Sequence, residues 1–569
     1  MCADNIPTNS SRHLSNGAIA AELMALAQFL AASGANKFKV KAYRRAARTI
    51  RGLGESIDEL VRNDVDLTQF PGIGGAISGA IQEIVRTGTL RQLATIRAQA
   101  APELSEIAQH PGLDPRRVLR IYKKLGISST AALKEKLLGG EIGAKLGARM
   151  EQHVRQGLQE EHEMLHYEAE TVVAAIKAFL IQQCGLRKAE PVGDYRRRVE
   201  IIRELSFLVE TDNLAGVLSQ VARYGGKADI LTATETTAVT QLSSGTVLRL
   251  TASPAKKWGI GLILSTGSEE HVRQLREYSP DWEKAVRSAE SFVTEKSVYR
   301  HMGLSFIPPE LREGRDEIAL AAQNRLPTLV LPEDIRGELH AHSTSSDGAN
   351  SIEEMVSAAR ERGYDYIGIS DHSQTLKIAH GLSEQDLWNQ IRFIDKLNNR
   401  LNGIRVLKSA EVDILVDGSL DYPDDLLKEL DYTVCSIHSR FGLGKADQTN
   451  RILRAMDNRY FNILGHATGR LLLKRPGYEI DVERVVEHAQ LNGCYFEINS
   501  SPDRLDLSAS DARLSREAGV KVAITTDAHS TREFAYLTFG VDQARRAGFG
   551  KTSILNCFSW PELERILKR

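Results

Sequence analysis

GELHAHSTSSDG, residues 337–348, ends a short apolar run with two histidines, His340 and His342, and places Asp347 just beyond them. In a strand, residues i and i+2 face the same side, so this histidine pair can grip one point together. The arrangement recurs down the chain. YIGISDH ends in His372, GIRVLKSAEVDI carries Glu411, YTVCSIH ends in His438, FNILGH in His466, and VAITTDAH in Asp527 and His529. Helical patterns such as SIEEMVSAARERG, LWNQIRFIDKLNNRL, VERVVEHAQLNG and SASDARLSREAG lie between these β-rich runs. Strand–helix alternation with polar residues gathered at strand C-terminal ends is the arrangement of an α/β barrel and its active-site face.

Six of the eight histidines beyond residue 330 fall at these strand ends; His380 and His488 do not, and are read as ordinary core or surface residues. His340, His342, Asp347, His372, Glu411, His438, His466, Asp527 and His529 together exceed what one ion needs. Two or three divalent ions sharing bridging acids are expected. Mixed nitrogen and oxygen ligands suit Mn²⁺, Zn²⁺ or iron, and the residues do not choose among them. Such a cluster lowers the pKa of a bound water to near neutrality and neutralises charge on a phosphoryl oxygen, which fits phosphoester hydrolysis. His340, Asp347, Glu411 and His438 are the candidate catalytic residues. Arg440, Arg470, Lys474 and Arg475, near the strand ends, are candidates for orienting a substrate phosphate, although surface solubility explains any one of them equally well.

The rest of the chain reads differently. From Asn16 to about Leu165 it is helical with glycine-bearing interruptions. NKFKVKAYRRAARTIRG (36–52) carries seven basic residues and no acid. It is either a solvated face or a nucleic-acid contact. FPGIGGAISGAIQEIV (70–85) sets Gly72 and Gly74 between two apolar-periodic stretches, the pattern of a helix-hairpin-helix whose backbone N–H groups can approach a phosphate. HPGLDPRRVLRIYKKLGI (110–127), with Gly112, repeats it, and KLGARMEQHV (145–154) is a degraded third copy. Repetition favours binding to the DNA backbone, a contact that positions without reading sequence. Beyond Leu165 come VGDYRRRVEIIRELSFLVE (192–210), with a turn at Gly193 and arginines suited to phosphate, and then strand-like ADILTATETTAVTQL, TVLRLTASP and WGIGLILSTGS. The reading is helical again from about Glu269 to Ile307, and residues 312–337 look like a linker.

Bulk properties narrow the classes. At 569 residues several domains are expected, and 73 basic against 74 acidic residues require any nucleic-acid affinity to come from local patches. Five scattered cysteines never stand in CxxC spacing, which fits a reduced cytosol. The start has no apolar signal region, and no run approaches the roughly 18 apolar residues of a membrane span, so a soluble, cytoplasmic protein is expected.

NKFKVKAYRRAAR, PPELRE (308–313), GELHAHSTSSDG, HATGRLLLKRPG (466–477) and TTDAH (525–529) resemble a bacterial family X DNA polymerase carrying a C-terminal polymerase-and-histidinol-phosphatase (PHP) domain. The likeness runs from Asn16 to the end. It implies a lyase-like helical domain with a helix-hairpin-helix (1–90), a fingers-like region (91–165), a palm-like nucleotidyltransferase domain (166–265), a thumb-like domain (266–315), a linker (316–336) and a PHP domain (337–569), the last a distorted barrel of seven strands. It further implies a Mn²⁺-dependent 3′–5′ exonuclease with related cleavage at abasic sites, acting in DNA repair on gapped, 3′-ended or abasic DNA, as a monomer. All nine expected metal positions hold competent residues. The palm departs from the family. Gly193, Arg196 and Arg197 are kept and are expected to hold DNA, but Asp194 replaces a serine and Glu204, Ser206 and Val247 stand where the family has three aspartates. Leu264 and Ser265 replace its Tyr-Phe, and the lyase lysines fall at Ala76 and Ala80. Neither a serine hydroxyl nor a valine supplies a bridging charge for two metals. Polymerase activity is therefore expected to be weak or lost. The alternatives are an active gap-filling polymerase, a small-molecule phosphatase, and a DNA scaffold without catalysis.

Overall fold

The computed structural model describes residues 13–99, 102–108, 110, 113–158, 163–279 and 291–568; Gly112 of the second expected hairpin lies outside them. The chain gathers into two compact units, one from Met1–Ser268 with Ser279–Met302, the other from Glu269–Tyr278 with Gly303–Arg569. No helix among the described residues is long and apolar enough to cross a membrane.

The first unit opens with helix Asn16–Ser33, started by the Ser15 hydroxyl on the Ala18 N–H and stopped by Gly34 in the left-handed conformation. Its buried Ile19, Leu23, Leu26 and Leu30 share a core with Val40, Tyr43, Ala47 and Ile50 of helix Lys37–Gly52. That spacing leaves Lys39, Lys41, Arg45 and Arg48 on the exposed face. The following hairpin turns at Gly72, φ +85°, where an added Cβ would sit 2.9 Å from Arg45 Nε. Gly74 then starts helix Gly75–Thr87 with no side chain on its first N–H groups. A second small helical core forms around Val118, Ile121, Leu133 and Val154.

Beyond these helices lies a five-stranded sheet, in the order Ala189–Val192, Glu204–Glu210, Val247–Ser253, Thr237–Gln241, Asp229–Ala233. The second and third of these strands run parallel, in a register that sets Glu204 beside Val247 and Ser206 beside Arg249. WGIGLILSTGS, expected as a strand, is instead the helix Trp258–Thr266. A short apolar run does not reveal its own period. Here the sheet decides, since Trp258 clusters with Val192 and Leu208 of the neighbouring strands.

In the second unit all the paired strands run parallel: Gly337–Ala341, Tyr366–Ile369, Arg405–Lys408, Glu411–Asp413, Val434–Ser436, Ile463–Leu464, Tyr495–Asn499 and Val522–Thr525. The first three make one sheet and the last five another, each in chain order along its edge. Single parallel bridges join the two sheets at both margins, Ala341 to Ala528 and His372 to Glu411. The seven-stranded barrel expected from the sequence is thus represented by two sheets stitched at two seams, with Arg405–Lys408 and Glu411–Asp413 as the halves of one broken strand. Outward residues such as Ile367, Val406, Cys435, Leu464, Phe496 and Ile524 pack in one large core with the surrounding helices. Inward residues Tyr366, Leu407, Val434, Ile463 and Ala523 form a separate cluster with the C-terminal helix Trp560–Leu567. Alternation then carries each inward series from apolar to polar: Tyr366 to His372, Leu407 to Glu411, Val434 to His438, Ala523 to Asp527. Gly368 is required in this series, because a Cβ there would overlap the Tyr432 hydroxyl, which donates to the Leu339 carbonyl at 2.6 Å.

Candidate metal centre

The strand-end residues converge. They form three overlapping groups, His342 with Asp347, His372 and His529, then His340 with His342 and Asp527, then His372 with Glu411 and His438; within each, one ligand atom per residue lies within 4.8 Å of the others. Glu411 is the hub. Its Oε2 lies 2.7 Å from His372 Nδ1, 3.6 Å from His340 Nε2 and 3.7 Å from His342 Nε2. Its Oε1 lies 2.9 Å from His466 Nε2 and 3.3 Å from His438 Nε2. Asp527 Oδ1 stands 3.0 Å from His342 Nε2 and 3.6 Å from His340 Nε2, and Asp347 Oδ1 stands 3.3 Å from His529 Nε2.

Among the described residues, buried His340 Nε2, His342 Nδ1 and His466 Nδ1 have no hydrogen-bond partner, and His372 Nδ1 and Glu411 Oε2, though 2.7 Å apart, are not aligned for one. One such atom costs about 1–3 kcal/mol, and several in one place call for a ligand that satisfies them. Imidazole nitrogens and carboxylate oxygens around shared gaps suit divalent transition ions.

The charge balance agrees. Burial lowers His342, and the neighbouring His372 pushes it further, to about 3. Burial also opposes protonation of His438 and His529, yet Glu411 with Asp413 lifts the first to about 10, and Asp347 with Asp527 lifts the second to about 9. Burial alone would raise Glu411 and Asp527, but the imidazoles around them hold both well below the usual carboxylate range. The shifts favour ionised acids at this centre, and a cation seated among them would compete with the protons that the raised imidazoles hold.

Residues 15–90 match the model of the helix-hairpin-helix domain, and residues 338–501 that of the PHP domain. The chain is 32% identical over 566 residues to the DNA polymerase/3'-5' exonuclease PolX of Bacillus subtilis (strain 168), an alignment covering 96% of this chain and 98% of that protein. The chain belongs to the PolX family. About a third of the chain is also similar to shorter proteins. A probable phosphatase of Thermoanaerobacter sp. (strain X514) is 30% identical over 231 residues, 38% of this chain and 89% of its own. One of Clostridium acetobutylicum is 31% identical over 203 residues, 34% of this chain and 78% of its own.

Three acids of this PolX chain stand behind the candidate ligands and were not anticipated. Glu497 accepts from His340 Nδ1 at 2.6 Å, from the His466 N–H at 2.5 Å and from the Thr525 hydroxyl at 2.6 Å. Asp413 accepts from His438 Nδ1 at 2.7 Å, and Glu338 from the His340 N–H at 2.9 Å and the Thr526 hydroxyl at 2.7 Å. Such bonds fix ring orientation and leave Nε2 of His340 and His438 for a cation. A signal was present in the sequence: Glu338 and Asp413 stand two residues from His340 and Glu411.

The candidates for substrate phosphate divide. Arg440 is exposed, two residues beyond His438, and its side chain has no partner among the described residues. Arg470 is instead spent on the carbonyls of Arg504 and Leu505, Lys474 on Asp503 at 2.5 Å, and Arg475 lies 4.6 Å over the Phe441 ring.

In the first unit of this PolX chain, Glu204 is clamped by Arg249, whose Nε and Nη2 donate at 2.6 and 2.8 Å, and it accepts from the Ser206 hydroxyl at 3.0 Å. Val247, beside it in register, offers no oxygen. Arg196 forks onto Glu295 at 2.8 and 2.7 Å, while Arg197 donates to the Thr266 carbonyl at 2.7 Å and to Asp194 at 2.5 Å. Both arginines expected to hold DNA are therefore engaged inside the fold. Leu264 and Ser265 lie in helix Trp258–Thr266. Among the described residues, no group of three metal-type ligands forms in this unit.

Proposed function

We propose that this protein is a DNA-repair nuclease: a metal-dependent phosphodiesterase that trims DNA from 3′ ends, with related cleavage at abasic sites, and whose polymerase activity is weak or lost. The Bacillus subtilis relative is named for both activities. What supports dividing them here is the contrast between nine convergent ligand candidates around Glu411 and a Glu204 neutralised by its own Arg249.

On this reading, two or three divalent ions, Mn²⁺ foremost, are held by His340, His342, Asp347, His372, Glu411, His438, His466, Asp527 and His529. When bound, such ions supply a nucleophile from water and offset charge on the phosphoryl oxygens. Glu411 and Asp527 balance their charge, Glu497 and Asp413 hold His340 and His438 with Nε2 inward, and Arg440 at the rim takes the substrate phosphate. Gly72, Gly74 and Gly112 let hairpin N–H groups grip the backbone of gapped, 3′-ended or abasic DNA. Residues 1–90, 91–165, 166–265, 266–315 and 337–569 then serve as lyase-like, fingers-like, palm-like, thumb-like and PHP domains of a monomer, with 316–336 as the linker.

The test is digestion of 3′-labelled and 5′-labelled DNA with Mn²⁺, run beside His340→Ala. The expected outcome is stepwise loss from the 3′ end that collapses in the variant; undiminished degradation by the variant refutes the site. Similarity of about a third of the chain to probable phosphatases favours a second reading, a small-molecule phosphatase. Turnover of histidinol phosphate with intact DNA ends selects it.

A further inference from the structure

Four arginines meet at the opposite end of the second unit from the candidate ligands. Helices Ala509–Glu517 and Leu537–Arg546 run back from the ligand end of the strands, so Arg513, Arg516 and Arg546, in their later turns, lie near where the strands begin. Arg315 reaches the same place from the loop before helix Glu317–Ala322. All four line one pocket.

The acids among its lining, Glu313, Asp316 and Glu317, take up only part of this charge. Arg513 takes two carboxylates, Glu517 at 2.6 Å and Asp316 at 3.2 Å. Arg546 reaches Glu313 only at 3.3 Å, and Arg516 stays 3.6 Å from Glu517. Glu317 is spent on His271 at 2.6 Å and on the N–H groups of Gly314 and Arg315 at 2.7 Å. The guanidinium of Arg315 makes no hydrogen bond or ion pair among the described residues; Glu313 and Glu317 stand close enough to attract its charge, and Arg513 and Arg546 close enough to oppose it. Arg516 Nε and Arg546 Nε are buried and lack any hydrogen-bond acceptor. Gly548, φ +82°, gives Arg516 its place, since a Cβ there would sit 3.0 Å from Nη1.

We propose that this pocket binds one phosphate group through Arg315, Arg516 and Arg546. Guanidinium donors match phosphate oxygens in geometry as well as charge. The cavity of about 30 Å³ decides the size of the ligand. It exceeds the roughly 10–15 Å³ that one water needs and is far too small for a nucleoside, so a ligand here is a small group, and the guanidinium donors make phosphate the fitting one. That phosphate belongs either to a DNA backbone passing this face or to a free inorganic ion.

Calorimetric titration of the full chain with inorganic phosphate at constant ionic strength tests the proposal, beside Arg315→Gln, Arg516→Gln and His340→Ala. Phosphate binding is expected to survive in His340→Ala. It is expected to weaken about tenfold or more in each arginine variant, the loss of one charge-assisted hydrogen bond. Arg315→Gln removes an exposed, unpaired side chain and is the variant least able to disturb folding. Binding lost in His340→Ala but unchanged in both arginine variants assigns phosphate to the candidate metal centre and overturns the proposal, as does no binding at all. A single-stranded oligonucleotide titrated at several salt concentrations identifies the source: a smaller salt slope in Arg315→Gln means DNA backbone, an equal slope means the free ion.

Discussion

Glu497→Gln keeps the shape of a buried side chain and removes its charge. One carboxylate oxygen accepts from His340 Nδ1 and the Thr525 hydroxyl, each at 2.6 Å; the other accepts from the His466 N–H at 2.5 Å and the Asn499 amide at 3.2 Å. Glutamine has only one acceptor oxygen, so whichever way its amide turns, an NH₂ group faces a pair of donors. Either the His340 ring or the turn carrying His466 must give way. A hydrogen bond to a charged group contributes about 1.5–3 kcal/mol, roughly 10–150-fold in an equilibrium constant. That range contains the ~10–100-fold loss in metal affinity usual when a group behind a ligand is changed. The assay is 3′–5′ nuclease activity against Mn²⁺ concentration. The half-maximal concentration is expected to rise about 10–100-fold in Glu497→Gln, with activity recovering at high Mn²⁺ and circular dichroism unchanged. Asp413→Asn, which orients His438 alone, is expected to shift the midpoint less. A wild-type midpoint in Glu497→Gln would falsify the idea that this carboxylate sets the ring directions.

Primer extension on gapped DNA with Mg²⁺ or Mn²⁺ is expected to stay at background, and Glu204→Ala to leave it there; extension that vanishes with Glu204 would restore the polymerase reading. Gly72→Ala forces a side chain into a left-handed backbone at φ +85°, at a cost of about 1–2 kcal/mol. Weaker DNA binding by fluorescence anisotropy is expected, and unchanged affinity removes the hairpin from the contact. Burial raises Glu317, but its bonds to His271 and Gly314 outweigh this and hold its carboxyl below the ordinary 4.5. A depressed folded pKa gives stability that is complete above the unfolded value and is lost as pH falls through the folded one. Thermal melts of Glu317→Gln should therefore show a shallower acid limb below pH 4.5 than the parent; identical limbs count against the pairing.

The second unit was legible because its information is local. A strand period of two, repeated through His340/His342 and Asp527/His529, put the ligand candidates on one side before any long-range pairing was known. The same period marks Glu338, two residues before His340, and Asp413, two residues after Glu411, although a lone acid there draws less notice than a second histidine. The five-stranded sheet of the first unit was less legible. That Glu204 meets Arg249 depends on the parallel register between strands some forty residues apart in sequence, and neither segment announces it. Arg470 and Arg196 look alike as free cations in sequence, and only the fold spends them on backbone carbonyls and Glu295. WGIGLILSTGS illustrates the remaining ambiguity: a run of apolar and small residues fits either period until the neighbouring sheet selects one.

The single bridges that join the two sheets fall among the ligand candidates themselves. The His342 N–H donates to the Ala528 carbonyl at 2.8 Å, the Ala528 N–H returns to His340 at 3.3 Å, and across the other joint the Ser373 N–H meets the Glu411 carbonyl at 3.0 Å. Any cation that draws these imidazoles and carboxylates inward also clamps the backbone beside them. An ion held there would thereby be a rivet of the scaffold as well as a reagent, and starvation for metal would loosen the strands at that end while leaving their apolar base intact.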